Sequence, residues 1–76
     1  MRTVSHIPHP LMRITVTSWN EKYQLRFELD RYEQMFKVDH DQWDVPALEE
    51  LAKSMSDSVM HGFVAMRAGF LEHSKN

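Results

Sequence analysis

The eight residues from Lys22 to Leu29 read KYQLRFEL, so that Tyr23, Leu25, Phe27 and Leu29 alternate with Lys22, Gln24, Arg26 and Glu28. A period of two belongs to a strand with one buried face, because successive side chains point to opposite sides of a sheet. A competing pattern overlaps it. Leu25, Leu29, Tyr32 and Phe36 are spaced by four, three and four, as on one side of a helix. Four consecutive alternations are hard to obtain from a helix, so the strand reading stands.

On the N-terminal side, Met12, Ile14 and Val16 alternate with Arg13, Thr15 and Thr17, and the β-branched residues favour a half-buried strand. Asn20-Glu21 then forms a two-residue turn, since asparagine tolerates positive φ. On the C-terminal side, Tyr32, Phe36 and Val38 point inward, and Arg31, Glu33, Met35 and Lys37 outward, after a turn at Asp30-Arg31. Gln34 falls in the inner row, which suits an edge strand. Ile7-Pro8-His9-Pro10 holds the backbone extended, because each proline fixes its own φ and restrains the residue before it. Residues 1–10 are therefore expected as an extended arm and 11–38 as a β-meander.

Residues 39–44 form an acidic loop interrupted by Trp43, which is placed at one end of the core. Asp44 is a suitable helix N-cap, with Pro46 in the first turn and Glu49 and Glu50 near the positive end of the helix. Leu48, Leu51, Ala52, Met55, Val59, Phe63, Met66 and Phe70 follow at helical spacing. Ser54, Ser56, Asp57 and Ser58 are the place where such a helix could break. The apolar phase does not slip across them, and one helix over 45–73 is expected. The fold class that follows is α+β: a three-stranded antiparallel meander packed on one long C-terminal helix, in a single domain.

The string IPHP, followed by ITV, WNEKYQLRFE and YEQMFKV, resembles a family of small uncharacterised bacterial proteins over about Ile7 to Val38. The resemblance implies a compact α+β domain with a meander and a C-terminal helix. It implies no activity, because the family has no established catalytic residues to carry over.

The whole chain is 76 residues with no cysteine and a net charge of −2. A chain this small buries only about 60–65% of the surface it exposes when unfolded, and neither a disulfide nor a thiolate metal site can reinforce it. A large multi-step enzyme is excluded by length. No span of about 20 apolar residues and no secretory pattern is read, so a cytoplasmic location without membrane contact is expected. No catalytic constellation is visible and no cofactor is implied: neither glycine belongs to a phosphate-binding loop, and no nucleophile, base and orienting group share a recognisable spacing. The expectation is a non-enzyme.

Three surfaces hold candidate function. Taking Val59 as 0°, Phe63, Met66 and Phe70 lie within about 40° of it, while Met60, Leu71 and Val64 lie at about 100°, 120° and 140°. With Arg67 between them, the apolar arc is wider than a small sheet covers, and Met60, Val64 and Leu71 become the expected self-association residues of a homodimer, with pairing of the edge strand left open as an additional contact. Gly62, Ala65 and Gly69 line the other flank. Mid-helix glycines cost about 1 kcal/mol each relative to alanine, which suggests close approach by another backbone. The second surface is the outer sheet face, where Arg13, Lys22 and Arg26 with Trp19 offer phosphate neutralisation and base stacking to single-stranded nucleic acid. Against this, residues 11–37 hold five basic and four acidic residues, which a face of cross-strand ion pairs explains equally. Third, His6, His9 and His40 with nearby carboxylates have metal-ligand chemistry and offer the alternative of a small-ligand or metal binder. The expectation is nevertheless of surface histidines and no metal site, since three or four ligands must converge.

Overall fold

The structure, a computed structural model, describes residues 2–74. Four strands precede one helix: β1 (Arg2–Ile7), β2 (Arg13–Trp19), β3 (Lys22–Leu29), β4 (Tyr32–Asp39) and α1 (Val45–His73). The strands form one antiparallel sheet in the order β1-β2-β3-β4. The class is α+β as expected, but the sheet has four strands rather than three. Most of the segment expected as an arm is β1, which pairs with β2 from Arg2 opposite Ser18 to Ile7 opposite Ile14.

A bulge hides this strand in the sequence. The register shifts between Thr3 and Ser5, so Val4 is an extra residue with no partner on β2. Such an insertion interrupts the period of two, and the apolar residues Val4 and Ile7 stand three apart. Ile7 is nevertheless buried, and Val4 packs against the same core.

Both hairpin turns follow the local chemistry. Asn20 and Glu21 both adopt positive φ, 54° and 63°, which matches the right-handed twist of the strands they join. Asp30 also has positive φ, 57°. Between the turns the strands pair without interruption, Val16 opposite Leu25 and Leu25 opposite Phe36. Ile14, Val16, Leu25 and Phe27 form the inner face, on which Leu48, Ala52, Val59 and Phe63 of α1 close. Trp43 is half-buried against this core.

The Asp44 side chain accepts a hydrogen bond from Ala47 N at 2.8 Å, capping α1. The helix runs unbroken through Ser54–Ser58, and the Ser56 hydroxyl donates to the Lys53 carbonyl oxygen. It crosses the sheet diagonally. Near its start, Glu49 accepts a hydrogen bond from Ser5 of β1; farther on, Phe63 stacks on Tyr32 at the start of β4, with ring centroids 6.3 Å apart.

Candidate interaction surfaces

A helix of 29 residues is about 43 Å long, whereas an eight-residue strand spans about 26 Å. The last turns of α1 therefore run past the sheet. Phe63 is the last helical residue that is fully buried; Val64, Met66, Phe70 and Leu71 beyond it are 58, 44, 47 and 54% exposed. Met66 and Phe70 continue the core stripe, but the sheet does not bury them. Phe70 packs instead against the Arg31 guanidinium, 5.0 Å from its ring centroid. The expected burial of these two residues is thus corrected, and comparing element lengths would have found it.

The overhang has two apolar flanks. Val64 lines a concavity with Met60, Leu11, Leu29, Tyr32 and Arg67. Of the three residues expected at a self-association surface, Val64 and Leu71 are exposed and Met60 is half-buried against the core. On the other flank, a groove between α1 and β4 is lined by Phe36, Met55, Gly62, Phe63 and Met66. A Cβ built on Gly62 or Gly69 meets nothing within 4 Å, so no backbone among the described residues approaches either glycine. Gly62→Ala should consequently raise the unfolding free energy by about 0.5–1 kcal/mol, measured by urea titration. An unchanged or lowered value would mean that the position is crowded.

The outer face of the sheet is uncovered by α1. Trp19, Lys22, Arg13 and Arg26 do share it, with Trp19 56% exposed beside Lys22, Gln24 and Lys37. Acidic residues are interleaved with them. Lys22 Nζ lies 2.9 Å from Asp39 Oδ1, Arg26 Nε lies 3.7 Å from Glu33 Oε1, and Arg13 stands opposite Glu28. The floor is neutral: Thr17 donates to Gln24 Oε1, and both residues are buried.

The histidines are separated. His9 Nδ1 accepts from the backbone N–H groups of Leu11 and Met12, which shapes the β1–β2 loop. At the opposite end of the sheet, His40 Nε2 lies 3.1 Å from Ser18 Oγ, and its ring packs on Tyr23. His6 stands opposite Thr15. Among the described residues no group of three His, Cys, Asp or Glu side chains is placed to hold a metal ion. No helix there is long and apolar enough to cross a membrane.

No family model, curated protein or solved structure matches the chain. What the fold and its surfaces define is a small α+β domain with an uncovered sheet face, an open sheet edge and a helix longer than its sheet.

Proposed function

We propose that the protein is a non-catalytic interaction module that acts as a homodimer through the second half of α1 and the structure flanking it. The observation that carries this reading is the overhang: four large apolar side chains, Val64, Met66, Phe70 and Leu71, stand exposed on ten residues of helix. Apolar surface gathered at one end of a small domain favours association, because burying it yields about 25 cal/mol per Å². A chain with so small a core gains proportionately more from shared burial than a large one does. Single-stranded nucleic acid is the weaker reading, since Glu28, Glu33 and Asp39 stand among the cations of the outer face.

The test is the mass in solution. Light scattering coupled to gel filtration at high micromolar concentration should give about 18 kDa, twice the 9.1 kDa of one chain. A 9 kDa species at that concentration would rule the homodimer out.

A further inference from the structure

The two edges of the sheet differ. β1 is broken by the bulge at Val4, a common device for blunting an edge. All eight residues of β4 pair with β3 without a register shift, and none of them is proline. Its even-numbered residues bond inward: Leu29 and Tyr32 close a two-residue turn, and at the far end His40 N donates to Glu21 O. In an antiparallel ladder the residues between them point their N–H and C=O groups the other way. Glu33, Met35, Lys37 and Asp39 therefore present an unpaired hydrogen-bonding edge.

The side chains of those residues lie on the outer face and read Glu33, Met35, Lys37, Asp39, while the Arg31 side chain turns to Phe70 on the helix side. The charges are minus, none, plus, minus, so that Glu33 and Lys37 carry opposite signs on either side of Met35. A second β4 approaching antiparallel across a two-fold axis can pair only these outward-facing residues with one another. Centred on residue 33 or 37, that pairing opposes Glu33 or Lys37 to itself. Centred on 34 it opposes Glu33 to the partner's Met35 and brings no unlike charges together, and on 36 it sets Glu33 against the partner's Asp39. Centred on Met35, it places Glu33 opposite the partner's Lys37, twice. Among the registers centred on residues 33 to 37, this is the one that opposes unlike charges and no like ones.

We infer that the second copy docks on β4, strand to strand and antiparallel about Met35, forming a continuous eight-stranded sheet. This rests on the homodimer reading above and narrows it, seating the second copy on β4 beside the Met66 flank of α1 and leaving Val64 and Leu71 outside the contact. Lys37, which makes no ion pair among the described residues, gains one, although a lysine on an edge strand otherwise protects it from pairing. On the inner face, Tyr32 meets the partner's Val38 and Gln34 meets the partner's Phe36, extending the half-buried apolar row across the axis. The groove holding Met66 and Gly62 lies on the flank toward this axis, while Val64 and Leu71 face away from it.

The experiment uses charge reversal with rescue by mixing. Lys37→Glu alone sets the introduced carboxylate against the partner's Glu33, and Glu33→Lys alone sets the introduced ammonium against the partner's Lys37. Each should weaken self-association on the order of tenfold in Kd, measured by sedimentation equilibrium at low salt. Mixing the two variants in equal amounts restores unlike pairs in the heterodimer and should return Kd to near the wild-type value. Restoration also shows that both variants are folded. If Lys37→Glu associates as tightly as wild type, or if mixing restores nothing, pairing on β4 is wrong while self-association stands. If the wild type itself is monomeric, the homodimer reading and this one fail together.

Discussion

Replacing Phe63 by alanine is expected to lower the unfolding free energy by about 3–5 kcal/mol, the usual range for deleting a buried phenylalanine. The side chain is fully buried, stacks on Tyr32 and marks the place where α1 leaves the sheet. Few residues share the load there, because Val64 and Met66 beyond it are largely exposed. A domain of 76 residues has about 4–11 kcal/mol of stability in all, at 0.05–0.15 kcal/mol per residue. The loss is thus a large share of the total, and the urea midpoint should fall by about a quarter or more. A midpoint within a tenth of the wild-type value would show that the helix is held chiefly by Leu48, Ala52 and Val59. Phe70→Ala provides the contrast. It removes a side chain that is half exposed, and its effect on the monomer should be several-fold smaller.

Deleting residues 1–7 is expected to abolish cooperative unfolding. The chain would lose the whole ladder between β1 and β2, the buried Ile7 side chain and the hydrogen bond from Ser5 to Glu49. Ile14 and Val16, both almost completely buried, would become members of an edge strand beside an uncovered part of the helix. Circular dichroism during thermal unfolding should then show a broad, featureless decline in place of a sigmoidal transition. A sharp transition within a few degrees of the full chain would mean that three strands suffice, which was the architecture expected from periodicity.

That contrast shows where the sequence could be read and where it could not. KYQLRFEL specifies β3 because both of its faces are regular and it lies inside the sheet. The helix bounds, 45 to 73, were legible because Asp44 and Pro46 punctuate one end and the apolar phase never slips. β1 escaped for a local reason, since the extra residue Val4 breaks the alternation by which a strand is recognised. Met66 and Phe70 escaped for a geometric one. Periodicity gives the direction in which a side chain points, but not whether anything lies there.

The candidate surfaces divide in the same way. That Arg13, Trp19, Lys22 and Arg26 share a face follows from strand alternation. That Lys22 is held by Asp39 and Arg26 lies near Glu33 depends on strand pairing, because these partners are 17 and 7 residues apart in the chain. The histidines illustrate the limit from the other side. His9 and His40 have the chemistry of ligands, yet the meander sends them to opposite ends of the sheet, where His9 accepts from its own loop and His40 bonds to Ser18 of β2.

By itself the sequence determined the alternating strands, the positive-φ turn at Asn20 and a single capped helix, since each depends on neighbours within a few residues. Only the tertiary structure decided that the N-terminal segment completes the sheet, that α1 outruns it, and that β4 is the unbroken edge. Those facts depend on the relative lengths and registers of distant elements, which no local pattern encodes. The antisymmetric charges about Met35 belong to both. They are written in the chain, and they acquire meaning once the hydrogen-bond pattern of β4 shows which residues face outward.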